Sequence, residues 1–280
     1  MRSVGVQADP DRSSAQNGPA VLRRLLPPGD GATAEQILDG LDLGDRRNAE
    51  RPYVVLNMIS TVDGRATVSG RSGPLGNPAD RELFRALRGV VDAVMAGAGT
   101  VRVENYGPLI PDQARRRRRR ERGLSEEPLA CIVSGRLSLP PDIPLLKDPA
   151  ARVVIVTSSA ASLPHSDAHI DYIRSPSDGL LDLRTALVEL HDRFAVRTLL
   201  CEGGPHLNAQ LLAAGLVDEL FLSLSAKLAG GQEMTGEGLR ILAGAQFAEL
   251  IELELLGVLE SDSNLFLRYR VGASDPERVS

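Results

Sequence analysis

From residue 51 onward, short apolar runs alternate with amphipathic segments, a pattern that predicts alternating strands and helices. Nearly every position in the runs is apolar, as expected of strands that are buried on both faces of a parallel sheet. We place these strands at residues 53–59, 92–96, 129–133, 152–157 and 197–201. Helices are predicted between them, at residues 78–88, 182–194 and 206–214. The first helix has Asn77 as its N-cap and Pro78 in its first turn, and Gly89 ends it.

Towards the C-terminus the pattern changes to an alternation of apolar and polar residues with period two. Residues 219–228 are predicted to form one such strand, and residues 249–260 and 264–271 an antiparallel hairpin. The expected fold is therefore α/β, with a mostly parallel central sheet, helices on both faces and a C-terminal antiparallel hairpin.

Both ends of the chain are polar and rich in turn-forming residues. Residues 1–50 are expected to be a flexible N-terminal tail with one short helix at 33–41, where Thr33 and Gln36 match a capping box. Residues 272–280 are expected to be a disordered C-terminal tail. One domain, residues 51–271, remains to carry the chemistry.

Composition narrows the possible classes of function. The 280 residues include 32 Lys and Arg against 37 Asp and Glu, a net charge of −5, and only 3% are aromatic. Nucleic acid is not an expected partner, because the chain has no excess of cationic residues to neutralise phosphates and few aromatic residues to stack on bases. No window approaches the roughly 18 apolar residues of a membrane span, so no membrane association is expected. Cys131 and Cys201 lack metal-binding spacing, which favours a reducing cytoplasm and no metal site.

A run of arginines from Arg115 to Arg120 stands out from this acidic background. A solvated helix face or a mobile loop is the simpler interpretation. The alternative is a patch that binds a phosphorylated ligand.

Two glycine-rich turns each follow a predicted strand directly: Gly97-Ala98-Gly99-Thr100 and Gly203-Gly204-Pro205. Without a Cβ atom, the backbone of such a turn comes within hydrogen-bonding distance of a ligand, and each turn leads into a helix whose free N–H groups favour an anion. At the carboxyl edge of one parallel sheet, the two turns together could hold the phosphates of a dinucleotide. The alternative is that the glycines only make tight turns.

Two acidic residues are the catalytic candidates, because each follows an apolar strand, where a carboxylate must be paired or must meet a polar ligand. Asp63 lies in the turn dipeptide Asp63-Gly64, so a role in the turn itself is the alternative, and Glu202 precedes two glycines. No zinc-deaminase signature and no nucleophile elbow occurs. Chemistry supplied by a cofactor is therefore the economical hypothesis.

Five short motifs in order resemble the reductase domain of the riboflavin-biosynthesis deaminase/reductase, and most closely its stand-alone actinobacterial-type members, the pyrimidine reductase family. They are the segments 57–65, 71–73, 96–101, 202–208 and 215–220, and the resemblance spans residues 51–271. It implies a dihydrofolate-reductase-like fold, NADPH as cofactor and a homodimer. It also implies the reduction of 5-amino-6-(5-phosphoribosylamino)uracil by hydride transfer to C1′ of its ribosyl group, so that the partner is a phosphorylated pyrimidine.

The same resemblance, with the two glycine turns, implies a set of site residues. The expected cofactor contacts are Ile59, Gly97, Gly99, Thr100, Glu104, Ser134, Gly203, Gly204, Pro205, His206, Leu207 and Asn208. The expected substrate contacts are Asn57, Ser72, Arg88 and Glu202. Arg88 is expected to face the substrate phosphate, together with an arginine of the run that begins at Arg115.

Two positions depart from the family pattern. Asn57 stands where the family usually has lysine, and Glu104 replaces an aspartate. An asparagine can hydrogen-bond a pyrimidine or pterin edge but cannot neutralise a phosphate. Reduction of a pterin such as dihydrofolate therefore stays open as an alternative, as does a module that binds NADPH without catalysis.

Overall fold

The structure, a computed structural model, describes residues 20–41, 43, 50–164, 166–175, 181–230, 239–244 and 247–272. Its strands are β1 (Val21–Leu26), β2 (Pro28–Thr33), β3 (Tyr53–Thr61), β4 (Ala93–Gly97), β5 (Leu129–Val133), β6 (Arg152–Thr157), β7 (His169–Arg174), β8 (Thr198–Cys201), β9 (Glu219–Ser225), β10 (Leu253–Ser261) and β11 (Asn264–Val271). Its helices are α1 (Ala34–Asp39), α2 (Pro78–Arg88), α3 (Ala98–Val103), α4 (Gln113–Glu121), α5 (Leu183–Phe194) and α6 (Pro205–Ala213).

Within these residues, eleven strands form one sheet in the order β2-β1-β10-β11-β9-β3-β8-β4-β5-β6-β7. The strands from β9 to β7 run parallel, and β11, β10, β1 and β2 continue the sheet with antiparallel pairs. The expected α/β fold, a mostly parallel sheet with a C-terminal antiparallel hairpin, is confirmed.

Helices cover both faces of the sheet, because the parallel strands are apolar on both sides. Along β3, Val55 packs in a core with α1 and α2, whereas Val54 and Leu56 pack in a second core with α5 and α6. This alternation of side chains across the sheet explains why the central runs have almost no polar residue. None of the helices in the described residues has the length and apolar character needed to cross a membrane.

The N-terminal segment differs from the expected tail. The helix predicted at 33–41 is present as α1, with the capping box between Thr33 and Gln36. Residues 21–33 are not part of a flexible tail, since β1 and β2 form a hairpin whose first strand pairs with β10. The Pro-Gly-rich sequence of β2 gives no strand signal of its own, and the pairing comes from tertiary structure. The predictions for residues 1–19 and 273–280 lie outside the described residues.

Candidate active site

A cleft of about 940 Å³ opens at the carboxyl ends of the parallel strands. The ends of β3, β4, β5 and β8 line it, together with α2, α3, the start of α6 and a loop at residues 239–241. Ligands of open parallel sheets bind at this edge, where the loops that follow the strands converge. The loop at 239–241 has no motif or periodic pattern in the sequence, and sequence analysis missed it.

The two glycine turns meet inside this cleft. Strands β4 and β8 are neighbours in the sheet, and the Gly97 amide donates a 2.7 Å hydrogen bond to the Gly203 carbonyl. Gly203 has a φ of +93°, which favours glycine, and a Cβ atom at Gly204 would lie 2.9 Å from Thr100 Oγ1. A Cβ at Gly99 would meet no atom within 4 Å, so the backbone there faces open space. Both turns therefore present bare backbone to the same cleft.

The helices that begin at these two turns are the uncapped ones. Side-chain oxygens cap α1, α2, α4 and α5, whereas α3 and α6 begin at glycines and, within the described residues, have no side-chain cap. In α6, Pro205 has no N–H and Asn208 donates to Gly204, which leaves the amides of His206 and Leu207 without an intrahelical acceptor. The start of α6 therefore suits an anionic group, such as a pyrophosphate.

Glu202 lies at the end of β8 in a buried cluster with Arg88 and Tyr106. Arg88 Nε and Nη2 donate to the two carboxylate oxygens of Glu202 at 2.6 and 2.7 Å, and the Tyr106 hydroxyl donates at 2.5 Å. Arg88 Nη1 also donates to the Leu109 carbonyl at 3.2 Å, and its guanidinium lies 4.4 Å from the centroid of the Phe84 ring. These bonds hold the three side chains in place in the wall of the cleft, and Arg88 and Glu202 balance each other's charge.

The cluster raises the pKa values of both Arg88 and Tyr106. Burial would lower the pKa of Arg88, but the charge and hydrogen bonds of Glu202 outweigh it and raise that pKa. Burial, followed by the Glu202 charge, raises the pKa of Tyr106 well above its ordinary value. At neutral pH Arg88 is therefore a guanidinium and Tyr106 a neutral phenol, both bonded to Glu202.

The structure adds a protein partner to the role expected for Arg88. Arg88 lines the cleft, as the resemblance implies, and its guanidinium is paired with the Glu202 carboxylate. Its contact with a substrate phosphate stays a prediction. Tyr106 was missed by sequence analysis, because a lone tyrosine in a loop carries no signal of its partner.

Ser72 and Glu104, expected to contact different ligands, bind each other. The amide and the hydroxyl of Ser72 both donate to Glu104 Oε1, at 3.0 and 2.9 Å. Both residues line the cleft, as do Asn57 and Ile59 on β3. The Ser72–Glu104 pair joins the loop before α2 to the end of α3.

Asn208 is almost fully buried, and its side chain serves the protein. Its Nδ2 donates to the Ile241 carbonyl at 2.8 Å and contacts the Met58 sulfur at 3.0 Å. These bonds hold the loop at 239–241 against the start of α6. The expected cofactor contact of Asn208 stays a prediction.

Two expected site residues do not line the cleft. The Asp63 carboxylate accepts hydrogen bonds from the Thr61 hydroxyl and from the amides of Ala229 and Gly230. These bonds stabilise the turn after β3 and hold it against residues 229 and 230. Ser134 is buried, and its hydroxyl accepts from the Ser138 amide in the turn after β5. The expected catalytic role of Asp63 and the expected cofactor contact of Ser134 stay predictions, and the geometry of the described residues gives neither of them support.

The turn role of Asp63 makes a prediction for the variant Asp63→Asn. Hydrogen bonds from Thr61, Gly230 and Ala229 lower the Asp63 pKa from 3.8 to about 2. A lowered pKa stabilises the fold above the ordinary pKa, and the effect is lost as pH falls towards 2. We expect the variant to have a lower Tm at pH 7, a Tm difference from wild type that shrinks between pH 4 and 2, and unchanged turnover. A loss of turnover at unchanged Tm would return Asp63 to the active site.

The arginine run forms α4 and is held within the protein. Arg115, Arg116, Arg118 and Arg120 pair with acidic residues of neighbouring segments, namely Glu35, Glu82, Glu126 and Glu127. Arg122, directly after the helix, pairs with Asp39. Arg119 is buried and donates to the carbonyls of Arg88, Val91 and Ser125. The run therefore joins α4 to α1, α2 and the loop at 126–127 by ion pairs, which favours the helix-face interpretation over the phosphate patch.

The chain is similar in sequence and in fold to known proteins. The profile of the RibD C-terminal domain family matches residues 52–267. The 2,5-diamino-6-ribosylamino-4(3H)-pyrimidinone 5′-phosphate reductase of Methanothermobacter thermautotrophicus is 28% identical over 79% of this chain and 99% of its own. The enzyme of the same name from Aquifex aeolicus is 27% identical, over 69% of this chain and 87% of its own. A crystal structure of a pyrimidine reductase-like protein from Corynebacterium diphtheriae has a TM-score of 0.68 and 25% identity, and covers 86% of this chain and 99% of its own.

Proposed function

Because the chain belongs to the RibD C-terminal domain family, a family of riboflavin-biosynthesis reductases, we propose that it reduces a phosphoribosylaminopyrimidine with NADPH. The observation that carries this proposal is the meeting of two bare glycine turns in one cleft, beside the buried carboxylate of Glu202. Assembly as a homodimer stays a prediction.

The residues at the glycine turns fit a nicotinamide dinucleotide. The backbone at Gly99 is open and leaves room for a pyrophosphate. The start of α6 at Gly204 has no side-chain cap within the described residues, and its free amides can donate to that group. Bound NADPH supplies a hydride for C1′ of the ribosyl group. The protein's own task is then to position and to enclose the reactants.

Glu202 is the residue of this chain that orients the substrate. Its two carboxylate oxygens accept three hydrogen bonds from Arg88 and Tyr106, out of about four lone-pair sites. One acceptor position remains for a substrate hydroxyl or amino group. Because Arg88 and Tyr106 fix the carboxylate, that acceptor points in one direction.

Asn57 lines the cleft, and its primary amide can both donate and accept hydrogen bonds. Such a group suits the edge of a pyrimidine or a pterin ring. The two pyrimidine candidates differ at one ring position. The aminouracil implied by the sequence resemblance has an oxo group there, and the substrate in the relatives' name has an amino group. An asparagine can turn its carbonyl or its NH₂ towards either group.

The test is NADPH consumption with the aminouracil ribotide, the diaminopyrimidinone ribotide and dihydrofolate in parallel. We expect turnover with a ribotide and none with dihydrofolate. Turnover with dihydrofolate alone would favour the pterin alternative. Tight NADPH binding without turnover on any of the three would favour a module that binds the cofactor without catalysis.

A further inference from the structure

Asp80 is an acidic residue of the cleft that has no role in the site described so far. It lies in the first turn of α2 and lines the cleft. Its backbone amide donates to the side chain of Asn77, which is the N-cap, so the Asp80 carboxyl is not itself the cap of the helix. The side chain is partly buried and packs against Gly76, where a Cβ atom would overlap its Oδ2. The carboxyl group is therefore held at the cleft and is available to a ligand.

The Asp80 carboxyl has few partners within the protein. Among the described residues it accepts one side-chain hydrogen bond, from Ser223, and it forms no salt bridge, since Arg81 and Lys227 act on it only as nearby charges. Burial raises the pKa of Asp80, because these partners do not replace all the water that an exposed carboxylate binds. A carboxylate has about four acceptor positions, so several remain for the N–H donors of a ligand.

Asp80 lies on the same side of the sheet as Asn57, the amide that we assign to the ring of the substrate. Val55 on β3 and Phe221 on β9 pack in one core with residues of α2. Side chains two positions apart on a strand share a face, so Asn57 and Ser223 lie on that face as well. Because Ser223 bonds to the Asp80 carboxyl, an acid and an amide line the α2 side of the cleft together.

The two ribotides of the proposed function present different groups at ring position 2. The diaminopyrimidinone has N3–H and a 2-amino group side by side, and these two donors match the two oxygens of a carboxylate. The aminouracil has a carbonyl at position 2, whose oxygen would repel a carboxylate oxygen. Asn57 can turn to suit either ring, whereas an ionised Asp80 can only accept. The acid therefore suits the diaminopyrimidinone.

We propose that Asp80 accepts hydrogen bonds from N3–H and from the 2-amino group of the pyrimidinone ring, and thereby selects the ribotide that carries this amino group over the aminouracil ribotide. This inference rests on the proposed function and specifies its substrate. A pterin presents the same pair of donors, so the test compares the two ribotides, which differ at ring position 2 alone.

The test measures kcat/KM for both ribotides, and their Kd with NADP⁺ in place of NADPH so that no turnover occurs. Wild type should prefer the diaminopyrimidinone ribotide about 100-fold in both quantities, the order expected when a ligand leaves a charged acceptor unpaired. Asp80→Asn should prefer the aminouracil ribotide, because its NH₂ group donates to the carbonyl at position 2 while its oxygen accepts from N3–H. Asp80→Ala should discriminate little between the two. The Kd for NADPH should not change in either variant.

The ratio between the two ribotides separates selectivity from damage to the fold, because a distorted α2 would weaken both together. Glu82→Gln is the matched control, since Glu82 lies on the same helix and does not line the cleft, and it should keep the wild-type ratio. An unchanged ratio in Asp80→Asn, or a wild type that binds both ribotides equally, would overturn the role of Asp80. An inactive wild type that binds the ribotides in the expected ratio would count against the proposed function and not against Asp80. A wild type that binds neither ribotide would contradict both.

Discussion

Glu202→Gln is expected to lower turnover about 100-fold, the order seen when one hydrogen-bonding group aimed at the reacting centre is removed. The substitution keeps the shape of the side chain but turns an acceptor into a donor next to Arg88. The affinity for NADPH should not change, because the glycine turns that we assign to the cofactor are made of backbone. Steady-state kinetics and an NADPH titration of the same protein separate the two effects.

The variant should also be less stable, because Arg88 loses its counter-charge. The two side chains are 12% and 3% exposed, and removal of one partner from a buried ion pair costs about 3–5 kcal/mol of unfolding free energy. The double variant Arg88→Gln/Glu202→Gln removes both charges and should recover part of the Tm, but not the turnover. Glu82→Gln, a surface acid outside the cleft, is the control and should keep full turnover. Full activity in Glu202→Gln would remove Glu202 from the site.

The elements at the centre of the sheet were predictable because burial on both faces leaves a strong pattern. Strand β5 has the predicted bounds at 129–133, and β6 those at 152–157. Helix α2 follows its local signals, with Asn77 as N-cap and Gly89 at its end. In these segments, local propensity and tertiary packing favour the same structure.

The elements at the edges were missed because their structure depends on distant residues. Strand β1 pairs with β10, and Arg23 forms a salt bridge with Glu260. Six of the nine residues of α4 are arginines, and the sequence left open whether they form a helix face or a loop. Their partners are carboxylates on other elements, such as Glu35 and Glu82. Sequence periodicity records which face of an element is apolar and does not record such partners.

The same distinction applies to the cleft. The positions of Arg88 and Glu202 at the cleft were foreseen, but their mutual pairing was not, since 114 residues separate them. Asp63 lies at the predicted turn, and its hydrogen bonds go to residues 229 and 230, which no local signal connects to it. Motifs therefore located the site, and only the fold assigned the partners within it.

Gly204→Val is expected to lower the affinity for NADPH about 100-fold, because the side chain would cover the amides at the start of α6. Each hydrogen bond to a charged group contributes about 1.5–3 kcal/mol, so the loss of one or two suffices. The new Cβ atom would also lie 2.9 Å from Thr100 Oγ1, which closes the gap between the two turns. A fluorescence titration with NADPH measures the change.

Gly40→Val is the matched control for this substitution. Gly40 ends α1 and is not among the cleft-lining residues, and a Cβ there would make only ordinary contacts at 3.6 and 3.8 Å. Its affinity for NADPH should equal that of wild type. A folded Gly204→Val protein with unchanged NADPH affinity would contradict the role assigned to the turn.

The central claim is that this cleft transfers a hydride from NADPH to C1′ of a ribotide. The most direct measurement uses NADPH with deuterium at both C4 positions of the nicotinamide, followed by mass spectrometry and NMR of the product. We expect one deuterium per product molecule, bonded to C1′ of the new ribityl chain. Product without deuterium at C1′, or NADPH that is consumed while the ribotide stays intact, would contradict the claim.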